Sequence, residues 1–528
     1  MIHRGLLVAM CAGLIAAACS DGDDDAGSGA EDDGAEGAAA AGAGDDAERP
    51  DDPLLIPTDL GEVRGGDSAV DGVRAFLTIP YAAPPIGDDA WRPPHPREPY
   101  GGVLDATVPG PSCPQDTDAA LASITPIPDP HDDCLTLNVW SPTDADDLPV
   151  MFWIHGGGFT AGSAQQAYYI GDDLAAEGVV VVSANYRLGA FGFLATDGLA
   201  DESDDGSYGN YGLADQAAAL EWVQRNVAAF GGDPGNVTIF GESAGGFSVC
   251  GHLASPASEG LFVRAIIESG GGCDRLQDGD AARAAGAALL EAAGCADIAC
   301  LRRLPGDAVL AAGFEPGLVA DGVRLTDTGR ERAESGELSD IPVLIGSNAD
   351  EDTLFTLGSA EPADADLTRL FGELSDDPDA LLALYPAEDY DTNLARYQAM
   401  RTDVRFTCPT LAFADAAEGD TYVYHYTYVS PDDPFGLGAT HGSELVPLFA
   451  HPEGIAALPP GLTGSDAAMS DDMQAAWVAF ATNGDPGDGW EPYGDGGRIT
   501  VLDQPPELVD EIRDGRCGDV DRLTTLRR

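Results

Sequence analysis

Short apolar runs, each bounded by small or polar residues, recur along the 528-residue chain. The runs with the pattern of buried strands cover residues 150–154, 179–185, 236–240, 263–268 and 341–345. Residues 213–230 instead carry apolar side chains at helical spacing, on the stripe Leu213, Ala217, Leu220, Val223 and Val227. Strands that alternate with helices predict an α/β fold, in which a mostly parallel sheet is covered by helices on both faces.

The segment Phe-Gly-Glu-Ser-Ala-Gly-Gly, residues 240–246, directly follows one predicted strand, and residues 247–253 behind it can form a helix. A strand, G-x-S-x-G and then a helix is the context of a nucleophile elbow, whose sharp turn exposes the serine at a helix N-terminus. Because the chain contains 67 Gly, the motif alone is equally consistent with a glycine-rich turn. It makes Ser243 a candidate nucleophile.

A second glycine-rich loop, His-Gly-Gly-Gly at residues 155–158, follows the predicted strand 150–154. Consecutive glycines let backbone N–H groups converge on one point without Cβ atoms around it. That layout is typical of an oxyanion hole, which stabilises the charge that develops on a tetrahedral intermediate. A tight turn after a strand is the alternative interpretation, but it rarely needs three consecutive glycines.

Two further positions complete a possible triad. The predicted strand 341–345 leads into an acidic loop that contains Asp350 and Glu351, and His441 lies among small residues. Each is weak evidence alone, because 91 residues are acidic and a lone His is more often structural. However, the order Ser243, Glu351, His441 matches the Ser, acid, His order of an α/β-hydrolase.

Several more segments carry a resemblance to a known family. Residues 76–87 read FLTIPYAAPPIG, with Thr78 at a position usually occupied by Gly, and residues 133–140 read DCLTLNVW. Further matches lie at 185–189, 230–234 and 260–266. Over nearly all of residues 58–520, the chain resembles the type-B carboxylesterase/lipase family, which also contains the cholinesterases.

The resemblance implies an α/β-hydrolase fold and a role for each candidate. By resemblance the site comprises Ser243 as nucleophile, Glu351 as acid and His441 as base, with the backbone N–H groups of Gly157, Gly158 and Ala244 as the oxyanion hole. Asp350 is the alternative acid, because Asp352 stands where the family usually has Gly. Arg187 and Asp215 fall on positions that form a structural ion pair in relatives.

Two departures from the family matter for substrate and structure. Cholinesterases hold a quaternary ammonium group against a Trp in the loop closed by the first disulfide, through cation–π attraction. The corresponding residues 114–133 contain no aromatic residue, which argues against a choline ester as substrate. Ala90 stands where relatives have an Arg, so the ion pair that anchors this loop in them is expected to be lost.

The chain has 10 Cys, which spacing alone cannot pair. The resemblance implies three disulfides, namely Cys113–Cys134, Cys295–Cys300 and Cys408–Cys517. Cys250 and Cys273 either form a fourth pair or stay as buried thiols. Disulfides imply an oxidising compartment.

The N-terminus predicts export. Residues 6–18 form an apolar run too short to span a bilayer, which is typical of a signal peptide over residues 1–19. Residues 14–20 are similar to a bacterial lipobox, which predicts a lipid on Cys19 and a membrane-anchored protein, periplasmic or on the cell surface. Ordinary cleavage, giving a secreted protein, is the alternative. Residues 20–53 predict a disordered acidic tether, and residues 54–528 predict one hydrolase domain.

The formal net charge is −65, and all 26 basic residues are Arg. The predicted tether holds 13 acids and one Arg, or −12, which leaves −53 elsewhere. Such a charge disfavours binding to nucleic acid. Salt adaptation is the hypothesis it suggests. The alternative is a GC-rich genome, which explains the missing Lys better than the acid excess.

Together these patterns predict a serine esterase that acts on a small-molecule ester and needs no metal and no other cofactor. Two alternatives stay open: a non-catalytic adhesion module of the same fold, and an amidase or carbamate hydrolase with the same triad. Acyl chain length and oligomeric state do not follow from the sequence.

Overall fold

An eleven-stranded sheet organises the computed structural model, which describes residues 52–117, 125–431, 433–456, 458–494 and 497–524. The predicted signal peptide, Cys19 and the predicted tether up to residue 51 lie outside the described residues. Contacts group Leu54–Arg528 into one unit. None of the described helices is long and apolar enough to cross a lipid bilayer.

The strands of the described residues are β1 (Leu55–Thr58), β2 (Gly61–Arg64), β3 (Gly66–Asp67), β4 (Val73–Pro80), β5 (Val103–Asp105), β6 (Thr136–Pro142), β7 (Leu148–Ile154), β8 (Val180–Ala184), β9 (Gly232–Glu242), β10 (Arg264–Glu268), β11 (Gln277–Asp278), β12 (Val319–Ala320), β13 (Val343–Asn348), β14 (Thr421–Tyr426), β15 (Ile499–Leu502) and β16 (Glu507–Val509).

The large sheet has the order β16-β15-β14-β13-β10-β9-β7-β8-β6-β4-β3. Its neighbours from β15 to β8 pair in parallel, and the pairs at both edges are antiparallel. The carboxyl ends of the parallel strands β7, β9, β10 and β13 therefore meet at one edge of the sheet, where open α/β sheets place their ligands.

The α-helices of the described residues are α1 (Asp172–Ala176), α2 (Gly189–Phe193), α3 (Asp197–Glu202), α4 (Tyr211–Asn226), α5 (Ala244–Ala254), α6 (Gly279–Ala292), α7 (Ile298–Leu301), α8 (Gly306–Ala311), α9 (Gly329–Glu334), α10 (Asp352–Phe355), α11 (Asp364–Phe371), α12 (Pro378–Ala383), α13 (Asn393–Thr402), α14 (Cys408–Ala416), α15 (Leu445–Phe449), α16 (Ser465–Asn483) and α17 (Cys517–Leu523).

Both faces of the sheet are covered. Successive side chains of a strand point to opposite faces. Along β7, Phe152 and Ile154 join one apolar core, whereas Met151 and Trp153 join the other, and all four are buried. Strands buried on both faces are near-continuously apolar, which is why the sequence shows runs rather than alternation.

The predicted fold class is confirmed, since this is a mostly parallel sheet with helices around it. The predicted strands correspond to β7, β8, β9, β10 and β13. The predicted helix over 213–230 is α4 followed by the 3₁₀ turn Val227–Phe230, and its apolar stripe is buried.

Candidate active site

Ser243 occupies the turn between β9 and α5, with φ 56° and ψ −120°. A positive φ is strained for a residue with a Cβ. The glycines on either side have a steric reason, because a Cβ on Gly241 would lie 2.7 Å and one on Gly245 1.9 Å from the carbonyl oxygen of Ile154. The end of β7 is therefore in contact with the turn, and the partly exposed Ser243 side chain lies at the N-terminus of α5.

The His-Gly-Gly-Gly loop packs on this turn. A Cβ on Gly156 would lie 2.6 Å from Glu242 Oε2, and Gly157 and Gly158 adopt φ of +106° and +62°. Within the part of the chain that the structure describes, the N–H groups of Gly157, Gly158 and Ala244 donate no hydrogen bond. These N–H groups are thus available to a ligand oxygen.

Glu351 is held rigidly against His441. Its carboxyl accepts hydrogen bonds from Ser269 Oγ at 2.6 Å and from the Asn348 N–H at 2.8 Å. His441 Nδ1 lies 2.6 Å from Glu351 Oε2. The Glu351 side chain is fully buried, so these three contacts fix the orientation of the imidazole ring.

The other nitrogen of His441 faces Glu242 and the serine turn. Nε2 lies 3.1 Å from Glu242 Oε1, outside hydrogen-bond geometry. Burial, with the charges of Glu351 and Glu268, raises the pKa of Glu242 well above its usual value. No described residue hydrogen-bonds to Ser243 Oγ, and contacts between nucleophile and base are often long before substrate binds.

Buried carboxyls surround the site. Burial raises the pKa of Glu268 to about 8, while Trp477 Nε1 donates to its Oε1 at 2.6 Å. Burial and the nearby carboxylates also raise the pKa of Glu444 well above its usual value. Burial thus disfavours negative charge on carboxyls that line the site with polar atoms.

Asp350 and Asp352 have partners other than His441. Asp350 Oδ2 accepts from the Ala439 N–H at 3.0 Å, so it orders the loop before His441. The fully buried Asp352 binds Arg401 at 2.7 Å and Arg405 at 3.2 Å. The structure thus places Glu351, rather than the alternative acid Asp350, against the histidine.

The ion pair predicted for the scaffold is present. Arg187 and Asp215 form a buried ion pair with Nη2–Oδ1 of 2.7 Å. The loop at Ala90 is anchored by Arg302, which donates to the Ala90 carbonyl at 3.1 Å and pairs with Glu202 at 2.8 Å.

The structure contains disulfides at the three predicted pairs and at the pair that the sequence left open. They are Cys113–Cys134, Cys250–Cys273, Cys295–Cys300 and Cys408–Cys517.

Among the described residues, one group has the spacing of metal ligands, namely Asp172, Asp173 and His451. His451 Nε2 lies 2.7 Å from Asp172 Oδ1 and 3.2 Å from Asp173 Oδ2. Burial disfavours its charge, but hydrogen bonds with these carboxylates and Glu453 raise the pKa of His451 to about 10. A protonated imidazole is a cation and not a metal ligand, so this group is an ion-pair cluster.

Sequence reasoning missed the residues that position Glu351. Ser269 follows strand β10, and Asn348 is the last residue of the neighbouring strand β13. Glu444 accepts a hydrogen bond from Asn348 Nδ2. Their position at the carboxyl ends of adjacent parallel strands was the signal that could have found them.

The sheet and the strained serine turn define an α/β-hydrolase. Residues 52–517 match the Carboxylesterase family, to which this chain belongs. Para-nitrobenzyl esterase of Bacillus subtilis is 36% identical over 478 residues, 85% of this chain and 94% of that protein. Fumonisin B1 esterase of Sphingopyxis macrogoltabida is 37% identical over 474 residues, 85% of each.

Solved structures agree with these relatives. A structure titled PNB esterase has a TM-score of 0.77 at 35% identity, covering 87% of this chain and 97% of that one. A thermophilic PNB esterase has a TM-score of 0.79 at 33% identity, covering 89% and 100%. The chain is a carboxylic ester hydrolase, and its relatives favour this over the alternative of an adhesion module.

Proposed function

We propose that this hydrolase is a serine esterase that works through an acyl-enzyme on Ser243. The observation that carries the proposal is the pairing of Glu351 with His441 at 2.6 Å beside a serine with φ 56°. A strained serine exposed at a helix N-terminus, next to an imidazole oriented by a buried carboxyl, is the arrangement that activates a hydroxyl nucleophile.

In the first step, Ser243 Oγ attacks the ester carbonyl carbon and His441 Nε2 takes the hydroxyl proton. The N–H groups of Gly157, Gly158 and Ala244 donate to the oxyanion. Collapse of the tetrahedral intermediate breaks the ester C–O bond, and His441 returns the proton to the leaving alkoxide. The products of this step are the alcohol and the acyl-serine.

In the second step, water attacks the acyl carbon while His441 accepts its proton. The tetrahedral intermediate expels Ser243 Oγ, which regains a proton from His441, and the carboxylic acid leaves. Throughout, Glu351 holds the imidazole tautomer and stabilises the imidazolium. Burial raises the pKa of Glu242, the carboxyl near His441 Nε2, well above its usual value, which disfavours a negative charge that would trap the proton there.

The test is hydrolysis of p-nitrophenyl acetate, butyrate and octanoate by the full chain, with p-nitroacetanilide as the amide. Ser243→Ala is expected to abolish ester hydrolysis and stoichiometric labelling by a fluorophosphonate. Ser359→Ala, which changes an exposed serine elsewhere, is the matched control and should retain both. A folded Ser243→Ala protein that still hydrolyses the esters would contradict the proposal, and faster anilide turnover would favour the amidase alternative.

A further inference from the structure

Two parallel phenylalanine rings lie beside His441. The ring centroids of Phe355 and Phe406 are 6.2 Å apart with planes 5° from parallel. The His441 ring centroid lies 4.8 Å from Phe355 and 5.1 Å from Phe406. Phe355 keeps 45% of its surface exposed whereas Phe406 is buried, so the Phe355 ring presents an apolar surface to solvent next to the candidate base.

A guanidinium group contacts the same two rings. The Arg405 guanidinium carbon lies 4.9 Å from the Phe355 centroid and 5.2 Å from that of Phe406. Arg405 belongs to the π-helical turn Asp403–Thr407, a type of turn that is frequent at functional sites. The same two rings therefore contact both the His441 imidazole and the Arg405 guanidinium.

The charge of Arg405 is only partly matched. Asp352 is the one carboxylate shared by two guanidinium groups, and it lies closer to Arg401, at 2.7 Å, than to Arg405, at 3.2 Å. A guanidinium carries five N–H donors. Arg405 uses one of them on Asp352, the others have no hydrogen-bond partner within the described residues, and the side chain is 28% exposed. These donors are free to bind an anion.

A third arginine reinforces the position. Arg275 Nη2 donates to the Arg405 carbonyl at 2.7 Å and its guanidinium carbon lies 5.8 Å from the Phe247 ring on the nucleophile's helix α5. Burial and the positive charge of Arg401 lower the pKa of Arg405. Burial and the charge of Arg405 in turn lower the pKa of Arg275. Asp352 and Asp274 lie against these arginines, so the cluster contributes guanidinium donors rather than an excess of positive charge.

We propose that Arg405 is the recognition group for a carboxylate carried by the ester substrate. The inference rests on the proposed esterase function and names the substrate class as esters with an anionic carboxylate on the acyl or the alcohol side. The planar fork of a guanidinium matches a carboxylate with two parallel hydrogen bonds, whereas the apolar rings accommodate the chain between carboxylate and ester.

The test compares matched ester pairs. Monoethyl glutarate and ethyl pentanoate differ in a terminal carboxylate on the acyl side, and carboxymethyl butyrate and propyl butyrate differ in one on the alcohol side. In at least one pair, Arg405→Met should lower kcat/KM for the anionic ester about 10- to 100-fold more than for its neutral partner, as expected for a lost charge-assisted hydrogen bond. Arg405→Lys, which keeps the charge without the fork, should lose less.

Arg369→Met is the matched control, because Arg369 is 60% exposed on α11 and pairs only with Glu373 among the described residues. It removes the same charge and should not change either ratio. A second measurement is inhibition of p-nitrophenyl butyrate hydrolysis by glutarate and by pentanoate, where glutarate should inhibit more strongly in wild type and lose that advantage in Arg405→Met.

The outcomes separate the two proposals. Equal losses on both members of each pair would show that Arg405 only supports the rings and His441, and would overturn the recognition role while the esterase stands. No loss on any ester would overturn it as well. Failure of folded wild type to hydrolyse any of the four esters or p-nitrophenyl butyrate would overturn the esterase function, and the recognition role with it.

Discussion

Two histidines of this chain contact buried carboxyls in different ways. His441 has one firm partner, with Nδ1 2.6 Å from Glu351, and its Nε2 faces a carboxyl whose pKa is raised by burial and neighbouring charges. His451 is engaged at both nitrogens, with Nε2 2.7 Å from Asp172 and Nδ1 2.9 Å from Glu453.

The difference teaches what a histidine base requires. His451 is locked as an imidazolium because ionised carboxylates hold both nitrogens and raise its pKa to about 10. Such a group cannot accept a proton at neutral pH. His441 keeps one nitrogen for chemistry because Nε2 makes no hydrogen bond with a described residue, and burial disfavours the charge of the carboxyl on that side. The number of carboxyls near a histidine therefore says less than how many of its nitrogens they hold by hydrogen bonds.

Exchange of His441 should give the largest effect. His441→Gln removes the proposed base, so we expect kcat for p-nitrophenyl butyrate to fall about 10⁴-fold or more, with a small change in melting temperature. Steady-state kinetics and calorimetry on the same preparation measure both. Retained turnover in this variant would show that His441 is not the catalytic base.

Exchange of His451 should give the opposite result. His451→Gln leaves Asp172, Asp173 and Glu453 close together without their cation, which should reduce the free energy of unfolding by about 3 kcal/mol. We expect kcat to stay within about threefold of wild type, since mutations away from the reacting atoms act on stability. Urea unfolding measures the loss, and an unchanged midpoint would argue against the ion-pair cluster.

The pH dependence of that loss should sharpen the comparison. The folded pKa of His451, about 10, is above its unfolded value, so its stabilisation is fully present below about pH 6.5. It should decline as pH rises from there through about 10. The difference in unfolding free energy between wild type and His451→Gln should therefore be largest at pH 6 and nearly absent above pH 10. A difference that grows with pH would contradict this assignment.

Salt should act equally on wild type and on His451→Gln, which makes this the smallest expected difference. If the acid excess is an adaptation to salt, molar NaCl should raise the melting temperature of wild type by several degrees, since screening relieves repulsion between exposed charges. The same rise is expected in His451→Gln, because buried pairs are screened much less. A flat response would favour the codon-composition explanation.

Local features of the sequence were sufficient for much of the fold. Strands buried on both faces leave continuous apolar runs in the sequence. The strand predicted over residues 236–240, for example, is β9, which is longer by four residues at its start and two at its end (Gly232–Glu242). The serine turn was visible because Gly241 and Gly245 have no room for a Cβ beside Ile154. The order of Ser243, Glu351 and His441 then placed three distant segments in one site.

What the sequence could not predict depends on contacts between segments far apart in the chain. Asp352 looked like a departure that disturbs the acid loop, yet it binds Arg401 and Arg405 on another segment. The pairing of Cys250 with Cys273 likewise depends on how α5 lies against the loop after β10. The raised pKa values near His441 come from burial in three dimensions, which spacing does not encode.

The backbone of Ser243 also has a consequence for evolution in the laboratory. With φ 56° and ψ −120°, this position suits glycine better than serine. A library selected only for survival at high temperature should accumulate glycine at 243, whereas one selected for turnover should restore serine. The two selections favour different residues at position 243, so the residue found there shows which selection a population has experienced.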